Sequence, residues 1–217
     1  MGEAGETSAA GGGPIASTTA GRIQGGVDGG TLVFKGVPYG DDTARHRFQA
    51  PVPPVAWTGV RPAVEFGPMA PQGSRPAAGA SEDCLRLNVW TPALRDGHRR
   101  PVLVYFHGGA YSNGSVNEPV YDGGRLCRRG DVVVVTVNHR LNGLGYLYLA
   151  ELGGAAFADS GNAGQLDLIL ALRWVRDNIA EFGGDAGCVT IFGQSGGGAK
   201  CATLMAMPAA RGLFHRV

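Results

Sequence analysis

Charge is scarce in this chain of 217 residues. Asp, Glu, Lys and Arg make up 17% of it and nearly cancel, to a formal net charge of +1. No basic stripe and no acidic tail stands out, so neither nucleic acid nor a charged membrane surface is expected as a partner. No window of about 18 consecutive apolar residues occurs, so no membrane span is expected. Cysteine is rare as well: Cys84, Cys127, Cys188 and Cys201 show no CxxC or metal-ligand spacing. No metal is therefore expected, and the thiols are expected reduced, as small core residues. The opening MGEAGETSAAGGG lacks the basic region and apolar run of a secretory signal. It reads as a disordered tail over residues 1–13, and a cytoplasmic location is expected. There is no internal repeat and no linker long enough to divide the chain into separate domains, so residues 14–217 are expected to form one unit.

Glycine is what the chain has in excess, with 37 residues. That favours a loop-rich fold in which backbone closely approaches backbone or ligand. Residues 15–64 carry short β-prone runs such as TLVFKGVPYG and RFQAPVPPVAWTGV, which suggest small strands and extended loops. NVW (88–90), VLVYF (102–106), VVVVTV (132–137) and CVTIFG (188–193) suit central strands buried on both faces. Between the last two runs, Leu166, Ile169, Leu170, Val175 and Ile179 recur near helical spacing. Ser160 or Asn162 is placed to cap that helix, Arg173 to meet Asp177 four residues on, and Gly183-Gly184 to stop it. A second helix is expected from about Gly197 to Met207, ended by Pro208. Strands alternating with helices predict the α/β class.

Gly193-Gln194-Ser195-Gly196-Gly197 is a G-x-S-x-G motif. Alone, a glycine-rich helix start would produce it too. Here it follows a β-branched apolar run and opens a helix, the setting in which a serine hydroxyl is thrust outward on a sharp strand-to-helix turn. The helix behind it brings unpaired N–H groups and a positive dipole end beside the serine. His107-Gly108-Gly109-Ala110 directly follows the VLVYF run. A glycine pair at a strand's carboxyl edge lets backbone N–H groups point at a substrate oxygen. A plain tight turn is the bland alternative. His107, at the strand end, is read as structural.

With these residues in place the chain resembles the type-B carboxylesterase family. Phe182-Gly183-Gly184, then VTIFGQSGG (189–197), matches the family's serine signature, and Glu82-Asp83-Cys84-Leu85 followed by Leu87-Asn88-Val89-Trp90 matches a second. FKGVPYG, VNHRLNGLGYL and GNAGQLDLILALRWVRDNIAEFGGD extend the likeness over roughly residues 15 to 217. The resemblance implies an α/β-hydrolase fold: a mostly parallel central sheet with flanking helices, here with its C-terminal part missing. It implies a small-molecule carboxylic ester as substrate and no cofactor. It makes Ser195 the nucleophile and the N–H groups of Gly109, Ala110 and Gly196 the oxyanion hole. Glu82 and Asp83 become structural ties. Many relatives pair the cysteine at 84 with one where Met69 stands, so no disulfide is implied. The family's usual alanine after the serine is replaced by Gly196, which suggests a looser hole.

In such hydrolases the acid and histidine follow the serine along the chain. After Ser195 this sequence has no Asp or Glu, and the single later histidine, His215, does not match the family's base. The chain by itself is thus expected to have little activity and marginal stability. A second polypeptide supplying the missing half is one completion. The alternative from another class is a non-catalytic, cholinesterase-like interaction domain.

Overall fold

The structure is a computed structural model that describes residues 12–73 and 79–217. Most of the tail expected over 1–13 lies outside the described residues; within it, the Gly13 carbonyl accepts from the Gln24 side chain at 3.4 Å. Nine strands follow in order: β1 (Ile15–Ser17), β2 (Arg22–Gln24), β3 (Gly26–Asp28), β4 (Thr31–Pro38), β5 (Val60–Pro62), β6 (Arg86–Thr91), β7 (Arg100–Phe106), β8 (Val133–Val137) and β9 (Gly184–Gly193). The helices are α1 (Gly124–Gly130), α2 (Asn142–Tyr146), α3 (Ala150–Gly153), α4 (Ala163–Asn178) and α5 (Gly196–Ala206).

β1, β2 and β5 form a small sheet of their own, and the other six strands form the central sheet in the order β3-β4-β6-β8-β7-β9. The α/β-hydrolase architecture is present, but the sheet is mixed rather than mostly parallel. β3, β4, β6 and β8 pair antiparallel in turn, and only β8-β7 and β7-β9 are parallel. The physical reason lies in the connections. A tight turn joins β3 to β4 and a long excursion through β5 returns the chain to β6, and only the links from β7 through α1 to β8, and from β8 through α4 to β9, are helical crossovers. These crossovers step to opposite sides of β7, and crossovers of one hand place their helices on opposite faces.

The alternation of side chains along β8 records the two faces. Val133, Val135 and Val137 enter the main core with Phe106, Leu168 and Ile191, whereas Val134 joins Trp90, Val33 and Cys127 beneath α1. α4 is buried almost all round: Leu168, Ile169, Leu170, Ala171, Leu172, Trp174 and Val175 are all below a tenth exposed. That wide apolar girth suits a helix wedged between sheet and loops better than a surface helix with one apolar stripe. Asp167 in its first half is fully buried and receives Arg140 through its backbone N–H (3.0 Å), Nε (2.9 Å) and Nη2 (2.6 Å). Arg140 also reaches the Gln49 carbonyl at 2.9 Å, tying the loop after β8 to α4 and to the N-terminal loops.

Two local expectations are corrected. Asp177 pairs with its neighbour Arg176, not with Arg173: Arg176 Nε and Nη2 take both carboxylate oxygens, at 2.7 and 3.0 Å, in a bidentate pair. Asn162 occupies the N-cap position of α4 without a side-chain cap bond, and the Ser160 hydroxyl instead accepts from Leu149 N at 2.8 Å. Glu82 holds the exposed Arg47, and Asp83 holds the half-buried Arg86 at the start of β6. All four cysteines are free, and Cys188 is only half-buried. Among the described residues no helix is long and apolar enough to cross a membrane, and no group of three His, Cys, Asp or Glu side chains is placed to hold a metal ion.

Candidate active site

β7 and β9 are parallel neighbours, with Phe106 opposite Gly193, so both chains leave the sheet side by side at its carboxyl end. There β9 turns into α5 through Ser195. The turn is closed by Gly197 N donating to Gln194 O at 2.8 Å. Ser195 has φ 53° and ψ −119°, the angles of the first central position in a type II′ turn, where glycine is the usual occupant. Holding a serine there costs about 1–3 kcal/mol. Ser195 is exposed, and its hydroxyl makes no hydrogen bond among the described residues. A side chain at 197 would sit 2.9 Å from the Phe106 carbonyl carbon, so glycine is what lets α5 start this close to β7.

The chain leaving β7 makes the second turn. Its carbonyls are all taken. His107 Nδ1–H donates to Gly108 O (2.8 Å), the amides of Ser112 and Asn113 donate to Gly109 O (3.2 and 3.1 Å), and Asn142 N donates to Tyr111 O (2.8 Å). Lys200 Nζ donates to Ala110 O at 2.7 Å and reaches His107 O at 3.4 Å. In a trans peptide the C=O and N–H point in opposite directions. Anchoring Gly108 O therefore aims the Gly109 N–H away from the His107 ring, and anchoring Gly109 O aims the Ala110 N–H away from Asn113. Ser195 O is likewise held by Ala199 N (3.1 Å), which aims the Gly196 N–H outward. The N–H groups of Gly109, Ala110 and Gly196 have no protein acceptor among the described residues. The structure brings these residues together: a β-carbon on Gly196 would lie 2.6 Å from Ala110 Cα and 2.7 Å from Ala110 N. Glycine at 196 thus lets α5 start this close to Ala110.

Neither His107 nor His215 is placed as a base for Ser195. His107 is buried, its Nδ1 is committed to Gly108 O, and its ring stacks on His139 with centroids 4.6 Å apart. Burial, with help from the Lys200 charge, pushes its pKa down to about 4, so the ring is neutral. His215 accepts from Val189 N at 3.2 Å, four strand residues before β9 ends at Gly193. That is about 13 Å of strand below the turn. No carboxylate among the described residues bonds to Ser195. A groove of about 560 Å³ beside α1, lined by Tyr105, Tyr121, Leu126 and Phe192, includes none of Ser195, Gly109, Ala110 or Gly196.

Sequence reasoning missed Lys200. It is fully buried, its ammonium lies 5.2 Å from the Tyr111 ring centroid, and it makes no ion pair among the described residues. Burial draws its pKa down to about 8. The one signal available was spacing: Lys200 is four residues beyond Gly196, hence on the same face of α5.

A family model described as the carboxylesterase family matches residues 12–217. The para-nitrobenzyl esterase of Bacillus subtilis is 42% identical over 93% of this chain and 42% of its own length. The phenmedipham hydrolase of Pseudarthrobacter oxydans is 45% identical over 94% of this chain and 42% of its own length. Among solved structures, a carboxylesterase of Geobacillus stearothermophilus superposes with a TM-score of 0.89 at 48% identity, again over 93% of this chain and 42% of that one. The chain therefore spans well under half the length of the relatives it matches.

Proposed function

The chain belongs to the carboxylesterase family, and on that premise we propose that it carries the nucleophile and oxyanion-binding amides of a serine ester hydrolase. Ser195 Oγ attacks the acyl carbon of a small-molecule carboxylic ester. The Gly109, Ala110 and Gly196 N–H groups receive the negative charge that develops on the carbonyl oxygen. The alcohol leaves, an acyl-enzyme remains on Ser195, and water releases the acid. No cofactor takes part.

The observation that carries this reading is a left-handed Ser195 at a strand-to-helix turn, beside three amides without an acceptor. A fold that holds a strained serine and leaves backbone donors unpaired needs a return for both costs, and oxyanion stabilisation is one. The same strain counts against a non-catalytic interaction domain, which has no use for it. The proton acceptor for Ser195 and its supporting carboxylate come from residues outside these 217, on the same or a second polypeptide.

The test is a fluorophosphonate probe together with p-nitrophenyl ester turnover. The 217-residue chain alone should turn over slowly, and supplying the completing residues should restore turnover and labelling. Mass spectrometry should place the label on Ser195, and Ser195→Ala should abolish both. Labelling elsewhere, or turnover surviving Ser195→Ala, rejects the reading.

A further inference from the structure

Lys200 is a buried cation that the ester-hydrolysis mechanism does not use. A lysine ammonium is strongly hydrated, so burying one without a carboxylate is costly unless its donors are well placed. Here they go to two backbone carbonyls, Ala110 O at 2.7 Å and His107 O at 3.4 Å, which are the outer two of the four carbonyls from His107 to Ala110. The inner two are held by the His107 ring and by the Ser112 and Asn113 amides. Two of the three amides proposed for the oxyanion, those of Gly109 and Ala110, thus lie between the two points that Lys200 grips. Ala110 is itself left-handed at φ 53°, a conformation that a non-glycine residue keeps only when its flanking peptides are fixed. Gly196, one turn earlier on the same face of α5, is the place where a β-carbon would collide with Ala110 Cα and N. Helix α5 therefore meets Ala110 with a missing side chain at 196 and a gripping one at 200.

We propose that Lys200 is a positioning residue of the oxyanion turn: its ammonium holds the Ala110 and His107 carbonyls so that the Gly109 and Ala110 amides stay aimed at the reacting oxygen. It acts through those amides and does not touch substrate. The titratable groups facing it are His107, His139, Cys201 and Tyr111, with no carboxylate among them. The positive charge behind the turn is thus uncompensated, which favours negative charge on the far side.

This inference rests on the ester-hydrolase reading, so two measurements are needed. In the enzyme completed for turnover, Lys200→Met keeps the length of the side chain and removes the donors. It should lower kcat by about tenfold to a hundredfold, as small misplacements of catalytic groups do, with KM unchanged. Affinity for a trifluoromethyl ketone, which becomes an oxyanion on Ser195, should fall by the same factor. Lys200→Arg should recover part of the loss. A merely structural lysine would lower stability and leave the ratio of ketone to substrate affinity alone. In the 217-residue chain itself, hydrogen exchange of the Ser112 and Asn113 amides should quicken by about tenfold in Lys200→Met, while β7 and β8 stay protected. Unchanged exchange there, or unchanged kcat in a folded Lys200→Met or Lys200→Gln enzyme, overturns the proposal. Loss of labelling at Ser195 in the wild type would sink the hydrolase reading and leave the exchange result to judge Lys200.

Discussion

Two buried cations in this chain are treated in opposite ways. Arg140, in the loop after β8, meets Asp167 through three donors in a site with 1% and 0% side-chain exposure. Lys200, on α5, donates only to backbone carbonyls. The first region is saturated: charge, donors and acceptors all cancel, and what it does is lock a loop to a helix. The second keeps a net positive charge, a left-handed serine, a left-handed alanine and three amides without acceptors. The carboxyl ends of β7 and β9 thus keep polar groups unpaired, where the Arg140 site does not. The contrast separates what holds the fold from what is left available for chemistry.

Four measurements bear on that contrast. The largest effect should come from Ser195→Gly in the completed enzyme. Turnover should fall by about four orders of magnitude or more, while stability rises by roughly 1 kcal/mol because glycine adopts the turn without strain; ester kinetics and urea unfolding of the same sample check both. Asp167→Ala strands a buried guanidinium and should cost about 3–5 kcal/mol in urea unfolding. A loss under about 1 kcal/mol would mean that the Arg140 region is not the lock described.

A smaller effect should appear with acid. The His107 ring is held neutral, with its pKa near 4, whereas an unfolded histidine titrates near 6.5. The unfolded chain therefore binds a proton that the native one refuses, and stability falls as pH drops from about 6.5 to 4. From pH 7 to pH 6 this amounts to roughly half a kcal/mol. His139, pushed the same way chiefly by burial, adds to the slope, so His139→Phe should flatten it; an unchanged slope would count against a neutral buried pair. The smallest change in stability is expected for Lys200→Met. Replacing an unpaired buried ammonium by an apolar side chain of similar length should stay within about 1 kcal/mol of wild type. A loss as large as that of Asp167→Ala would erase the distinction between the two cations.

The sequence carried much of the scaffold. Each apolar run became a strand, and α5 runs from Gly196 to Ala206 against an expected Gly197 to Met207. The turns around Ser195 and Gly109 were legible because glycine spacing is a local constraint. Arg173 and Asp177 failed as a pair because a helix-face rule does not see the closer guanidinium of Arg176. The close approach of Gly196 to Ala110 was not legible because a lone sequence position does not show what lies across from it. Lys200 was missed because a single lysine in a helix reads as a solvated residue.

Chain order and residue type were enough to set the strands, the second helix and the serine turn, since periodicity, β-branching and glycine act within a few neighbouring residues. Long-range packing alone set the mixed pairing of the sheet, the crowding of Gly196 against Ala110, and the burial of Lys200 beneath two carbonyls from a strand end some 90 residues away. Each of those depends on segments distant in sequence meeting at close range, and nothing in local composition fixes which backbone will lie across from which side chain.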